Sequence, residues 1–356
     1  MSLGIQLAPW NNSRELLAVG ESLRDSVDVV WVQDQMLARN VYVLLAGLAQ
    51  AGCGIGSNVT YAVGRNPIEM AASAATISEL LAPGREFVVG LGTGGALVAS
   101  LFEKRRQVAV AREAITLMRA LWSGEAVELD AYPVLGEAMQ YRPGARAQLT
   151  FPVERPPAIV VAGVGPQIHK VTARLADGMI SASNLPSVSL AAFRCGRFDE
   201  LSGLAEIRAE RPADAAPLRL IYGINVSVSA DREAARACAR RQAALVASNP
   251  RMWGTLEAVG LDTECAAAVK AAIDAGEGLD GASSCVTPEF ADSLIVSGTP
   301  EECVGTIAEL RALAQAQGYT EFYLGAPLGP DPIEAAELLR REVIPEVWPE
   351  RMAVAT

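Results

Sequence analysis

Along most of the chain, short runs of branched apolar residues alternate with longer stretches in which apolar residues recur every three or four positions. The runs at 4–9, 27–33, 52–61, 86–90, 158–162, 178–182, 218–228 and 320–324 read as eight strands. VDVVWVQ at 27–33 is almost continuously apolar, the pattern of a strand covered on both faces. Of the stretches between, 103–122 is the clearest helix, because Val108, Ala111, Ile115, Met118 and Trp122 share one face. Asn66, Pro67 and Glu69 open another helix as N-cap, first-turn proline and acidic third residue, and Thr299-Pro300-Glu301-Glu302 opens a further one. Eight strand–helix units predict a (β/α)8 TIM barrel, a single α/β domain over 1–356; an open doubly wound sheet would show the same alternation. Two segments break the rhythm as insertions. The alternating pieces in 124–157 predict a small hairpin beside the barrel. The Ala-, Gly- and Asp-rich stretch 250–297 predicts extra helices, with Ser297-Gly298 closing a loop.

Three of the strands end alike. GSNVTYAVGRNP begins at Gly56, GLGTGG at Gly90 and GVGP at Gly163, each a strand running into glycines and small residues. In a barrel these ends share one rim, where backbone NH groups can approach a large cofactor.

Composition narrows the classes. A hydrophobic fraction of 51% and a mean hydropathy of +0.23 allow a large core. The net charge of −11, from 30 Lys+Arg against 41 Asp+Glu, argues against nucleic acid, which needs basic surface to displace counterions. Six scattered cysteines without a C-x-x-C pair read as reduced thiols in the cytoplasm. The apolar run at 41–51 is too short to span a bilayer, so no membrane is expected. One histidine, His169, leaves no multi-histidine metal site or histidine triad, and no metal is expected.

Several segments in order resemble the luciferase-like flavin and deazaflavin oxidoreductases, in the branch similar to methylenetetrahydromethanopterin reductase. They are GSNVTYAVGRNP with the helix at 69–81, LAPGREFVVGLGTG, ALWSGEAV at 120–127, VVAGVGPQIHKVTARLADGMISAS, and SGTPEECVGTIAELRALAQAQGYTEFYL. The resemblance implies a barrel that binds coenzyme F420, or alternatively FMN, at the C-terminal ends of its strands. It implies a non-prolyl cis peptide at Asn58-Val59 behind the cofactor ring. The phosphate is expected on Ala162, Gly163, Val164 and Gly165, with Gly92, Thr93 and Gly94 beside it. Where relatives carry acid–base residues, this chain has Gln6, Gln35 and Gly95, which puts dehydrogenation of alcohols in question. Asp34 and Tyr61 are then the catalytic candidates, with Asp34 also a cofactor contact, and Ser57, Thr60 and Ser183 are further polar groups near the mouth. Three functions follow as alternatives: F420-dependent hydride transfer to a small organic molecule, an FMN-dependent monooxygenase, and a flavin-binding protein without turnover. Relatives commonly pair, so a homodimer or higher homo-oligomer is expected.

Most of these residues also have plainer readings. Asp34 can equally cap a neighbouring loop, and Arg65 is expected to pair with a carboxylate and hold its own loop. A partly exposed helical His169 and core-packed Trp10, Trp31 and Trp122 are the default expectations. The run Lys104-Arg105-Arg106 is expected on a solvated helix face. The loop after the first strand and the insertions 124–157 and 250–297 are expected to read the substrate.

Overall fold

The computed structural model describes residues 1–94, 100–103, 106–180 and 188–354. Its barrel strands are β1 (Ser2–Leu7), β2 (Val29–Val32), β3 (Ile55–Tyr61), β4 (Phe87–Gly92), β5 (Ala158–Ala162), β6 (Gly178–Ile180), β7 (Arg219–Val228) and β8 (Glu321–Leu328). All pair in parallel in chain order, β8 returns to β1, and β6 meets β7, so the sheet closes as a (β/α)8 barrel and the open-sheet alternative falls. The all-apolar β2 is buried along its whole length, as a strand with helices outside and side chains inside must be.

One strand was not anticipated. Ile295–Gly298, expected as helix and loop, pairs with β7 at Asn225–Val228. Here β7, ten residues long, outruns β6, which pairs only with Arg219–Ile221. The free edge of β7 takes up the extra strand, and the helices of the insertion (Pro250–Ala258, Thr263–Asp274 and Pro288–Leu294) form as expected.

The helix starts are where their caps put them. The Asn66 side chain accepts from the Ile68 NH at 2.9 Å, and Thr299 and Glu302 complete a capping box. The long helix expected over 103–122 runs Gln107–Trp122, shorter at its start; Arg106 precedes it in a left-handed conformation, while Lys104 and Arg105 lie outside the described residues. The 124–157 insertion holds only a two-residue antiparallel pair, Val127–Glu128 with Arg146–Ala147. Between its strands lies a short helix, Pro133–Met139, whose first NH groups at Val134 and Leu135 donate to the buried Glu113 carboxylate at 2.9 Å. The expected hairpin is therefore mostly helix, pinned to the outer ring by one acid.

Glycines make room for the barrel floor. A side chain at Gly56 would collide with the Trp31 ring, and one at Gly223 with Tyr323, so both aromatics lie flat across the interior. Below them, at the N-terminal ends, Arg219 donates to Glu321 (2.6 Å) and to both Glu86 oxygens (2.8 Å). Asp28 accepts there from the Ser2 hydroxyl, the Leu3 NH and Arg351. Among the described residues no helix is long and apolar enough to cross a membrane, and no three His, Cys, Asp or Glu side chains gather as a metal site. All six cysteines are free.

Candidate active site

Above the Trp31–Tyr323 floor, a cavity of about 320 Å³ opens at the C-terminal ends of the strands. Six of the eleven residues singled out as site candidates line it: Asn58, Val59 and Tyr61 from β3, and Gly92, Thr93 and Gly94 from β4 and its turn. The Asn58–Val59 peptide is cis, as the resemblance implied. Pairing of β3 with β4 loses register between Ser57 and Thr60, so β3 bulges at Val59. The bulge needs the glycines opposite. A Cβ at Gly92 would stand 2.8 Å from Val59 Cγ2, and one at Gly90 would meet the Ser57 carbonyl oxygen.

Carboxamides dominate the wall. Gln6, Gln33 and Asn58 stand at the ends of β1 to β3, with Gln35 just beyond, Asn225 on β7, and Gln242 and Asn249 on the outer side. Three of them form a chain. Gln6 Nε2 donates to the Asn58 carbonyl oxygen (3.4 Å), Gln33 Nε2 to Gln6 Oε1 (3.0 Å), and Gln35 Nε2 to Gln33 Oε1 (3.3 Å). The direction is fixed at one end, because a backbone carbonyl can only accept and each amide must then turn its oxygen to the next. Asn58 itself is buried, and its Nδ2 has no hydrogen-bond partner. Its side chain faces the Tyr323 hydroxyl, but the two stop short of a hydrogen bond. An orphaned buried donor on a cavity wall is a group waiting for a ligand.

Among the described residues no Asp, Glu, Lys, Arg or His lines the cavity, and Tyr61 is the titratable side chain on that described wall. Burial, and then the nearby Asp34 carboxylate, push the Tyr61 phenol up to about 12. It is therefore a neutral hydrogen-bond donor at any ordinary pH.

Asp34 does not line the cavity. It is fully buried and saturated: Arg65 grips it from Nε (2.6 Å) and from a terminal nitrogen (2.8 Å), Thr60 Oγ1 donates at 2.7 Å, and the Met36 NH at 3.2 Å. Arg65 in turn lies 5.7 Å over the Tyr42 ring. Asp34 thus ties the loops after β2 and β3 together, and the pairing expected of Arg65 is found on Asp34 itself.

Ala162–Gly165 also lie outside the cavity wall, but next to it. Gly92 pairs with Ala162 across β4 and β5, so this loop continues the same rim. Gly165 precedes the helix Pro166–Leu175 at φ 108°, a backbone that suits only glycine, and Val164 is exposed. A side chain at Gly163 would meet Ile168 Cγ1 at 2.9 Å before it met anything bound outside.

Other expectations shift. His169 is buried rather than partly exposed: Gly203 leaves space for its ring, and Nδ1 lies 2.6 Å from Glu206. Trp31 and Trp122 are core residues, but Trp10 is exposed at the cavity mouth, with Leu245 and Met252 opposite. The 124–157 insertion supplies no lining residue; the loop after β1 and the start of the 250–297 insertion do. Ser57 is occupied, exchanging hydrogen bonds with Gly90. Ser183 and Gly95 lie outside the described residues. Sequence reasoning missed Gln33, Asn225, Gln242 and Asn249, since isolated amides carry no motif.

Residues 8–317 match the family described as luciferase-like monooxygenase. The 5,10-methylenetetrahydromethanopterin reductase of Archaeoglobus fulgidus is 28% identical over 362 residues, covering 98% of this chain and 100% of that protein. The F420-dependent glucose-6-phosphate dehydrogenase of Kineococcus radiotolerans is 34% identical over 240 residues, or 59% of this chain and 66% of that protein. The structure of the coenzyme F420-dependent tetrahydromethanopterin reductase from Methanopyrus kandleri superposes with a TM-score of 0.73 at 21% identity, covering 97% of this chain and 99% of that one.

Proposed function

Since the chain belongs to the luciferase-like monooxygenase family, we propose that it is an oxidoreductase that binds coenzyme F420 on the C-terminal rim and moves a hydride between that deazaflavin and a small organic substrate. The observation that carries this reading is the wall at Asn58 and Val59. There β3 bulges into the cavity and leaves a buried amide donor unpaired, in a chain whose relatives include the F420-dependent dehydrogenase of Kineococcus radiotolerans. The residues fit such a group. A deazaflavin has an apolar ring face, a heterocyclic edge of alternating carbonyl and N–H groups, and an anionic tail. Val59 would back the face, the amides of Asn58 and its neighbours would meet the edge, and the NH groups opening the helix Pro166–Leu175 would hold the phosphate beyond Gly165.

When bound, the cofactor supplies the hydride and the ring electronics. The protein's part is to orient and to manage one proton. Tyr61 presents a phenol to the cavity, and the Gln6–Gln33–Gln35 chain holds the Asn58 carbonyl in place. Asp34 acts at one remove, by positioning the loop that carries Arg65, and the chemistry needs no base from it.

The test is a parallel titration of the purified protein with coenzyme F420 and FMN, followed by fluorescence. Selective F420 binding is expected. Selective FMN binding would instead make the protein a monooxygenase of the same fold, and uptake without hydride exchange for any donor would leave a binding protein. The phosphate loop is tested at Val164, where a side chain is tolerated and exposed. Val164→Asp should weaken F420 binding at least tenfold by charge repulsion and Val164→Ala should not; equal affinities would move the phosphate elsewhere.

A further inference from the structure

The mouth of the cavity holds two large apolar side chains out in water. Among the described residues, Trp10 (54% exposed) and Leu245 (41% exposed) are the exposed large apolar side chains that line it. Both are propped by hydrogen bonds of the backbone beneath them. Arg39 donates to the Trp10 carbonyl (2.6 Å) and to the Pro9 carbonyl (3.4 Å). The next two residues are tied down as well, since the Asn11 and Asn12 side chains both donate to the Glu15 carboxylate. The backbone of Trp10 is thus fixed from either side while its ring stays uncovered. Leu245 sits in the last turn of the helix Arg232–Ala247, where the Trp253 indole donates to the Ala247 carbonyl at 2.8 Å. Gln242, Leu245 and Val246, spaced by three and four residues, turn one face of that helix to the cavity, and Met252 follows from the next helix. The loop after β1 and the helix after β7 flank β8, so the two side chains reach the mouth from neighbouring parts of the rim.

We infer that Trp10 and Leu245 clamp the substrate, that the substrate carries a flat aromatic body beside its reacting carbon, and that Trp10 is the residue that selects flat rings over puckered ones. This rests on the F420 reading above. A cavity of about 320 Å³ lies near the small end of ligand sites, roughly 300–1,000 Å³, and the three-ring head of a deazaflavin would fill most of it. The reacting carbon of the substrate then enters the space that is left, while its body stays at the mouth between Trp10 and Leu245. A flat π face suits the indole, because aromatic rings gain from offset or edge-to-face contact beyond the area they bury. A saturated ring with the same carbon skeleton keeps the burial and loses that fit. Leu245, Val246 and Met252 have no π face, so they bury either ring and add affinity without discrimination. Selection therefore falls to Trp10, whose fixed backbone leaves little order to be lost when the ring is covered.

Two probes test the inference, 2-naphthol and decahydro-2-naphthol, which share one carbon skeleton and one hydroxyl and differ in being flat or puckered. Binding is read by isothermal titration calorimetry in the protein loaded with oxidised F420 and in the protein alone. 2-Naphthol is expected to bind tighter by about fivefold or more. Trp10→Ala should bring the two probes within about twofold of each other, and Trp10→Phe, which restores a flat ring, should keep the preference. Leu245→Ala should weaken both probes by the same factor. Equal affinities in the parent, a preference that survives Trp10→Ala, a preference lost in Leu245→Ala, or no binding of either probe overturns the inference. Trp10→Ala should also leave F420 affinity and the elution volume in gel filtration unchanged. A fall in F420 affinity would set the indole against the cofactor, and a smaller species would set it against a second copy of the chain; either result overturns the clamp. If F420 fails to bind while a preference that depends on Trp10 is present, the cofactor reading falls and the clamp stands. If F420 binds and the preference is absent, the reverse holds.

Discussion

Gln6 shows how much one atom decides at the residue scale. Its Nε2 donates to the Asn58 carbonyl, and that single contact sets the direction of the amide chain. Gln6→Glu keeps the shape but replaces the donor with an oxygen. While the new carboxyl is protonated it still donates; once ionised it faces the carbonyl with two acceptors, at a cost of about 1–3 kcal/mol for the lost buried donation. The described wall of the wild-type cavity has nothing to titrate below about 12, so the stability difference between variant and wild type isolates the new carboxyl. That difference, read by urea unfolding, should widen against Gln6→Glu as pH rises from 5 to 9, and a flat difference would refute the relay. Asp34 and Arg65 carry the complementary lesson. Arg65→Ala strands a fully buried carboxylate and should cost about 3–5 kcal/mol in chemical denaturation. Removing both charges together, as Asp34→Asn with Arg65→Met, should cost clearly less; equal losses would mean that the ion pair is not what anchors the loops.

At the scale of elements, β3 and β4 interlock. Val59 occupies the volume that Gly92 leaves free, at 2.8 Å from where a Cβ would stand. Gly92→Ala should therefore destabilise by about 1–3 kcal/mol through overpacking. Adding Val59→Ala should recover most of that in thermal unfolding, whereas additive losses would show that the strands do not meet there. This interlock explains why part of the site was readable from sequence and part was not. GSNVTY and GLGTG are short, contiguous and unusual, so they exposed one wall of the cavity, down to Val59 and Gly92. The other wall comes from Asn225, Gln242 and Asn249, which meet the first only because the barrel closes. Asp34 was legible as a strand-ending acid, but its saturation by Arg65 and Thr60 depends on two loops whose approach no local pattern encodes. The strand Ile295–Gly298 was missed for a similar reason: four residues after an Ala-rich helical stretch become a strand because β7 outruns its neighbour.

Across the whole molecule, the two barrel ends divide the work. The C-terminal face holds an amide-walled cavity, while the N-terminal face is closed by ion pairs joining the segment before β4 to β7 and β8: Arg219 to Glu86 and to the buried Glu321. A barrel enzyme separates its stability from its chemistry in this way, since sites gather at the C-terminal ends. Burial raises the Glu321 carboxyl above its ordinary value, and Arg219 is the group that opposes the rise. Arg219→Ala leaves that carboxylate buried without its partner, and a loss of about 3–5 kcal/mol is expected near neutral pH. The sign of its pH dependence follows from the raised carboxyl. Such a group binds its proton more tightly folded than unfolded, so its destabilising effect is absent below the ordinary carboxylate range and grows as pH rises through it. The penalty of Arg219→Ala, measured by urea unfolding, should therefore shrink as pH falls from 7 towards 4.5. Affinity for F420 should stay within twofold of the parent, because Arg219, Glu86 and Glu321 do not line the cavity. A penalty that did not change with pH would show that Arg219 stabilises the fold by packing rather than by charge, and a parallel loss of ligand affinity would show that the two ends of the barrel are not independent.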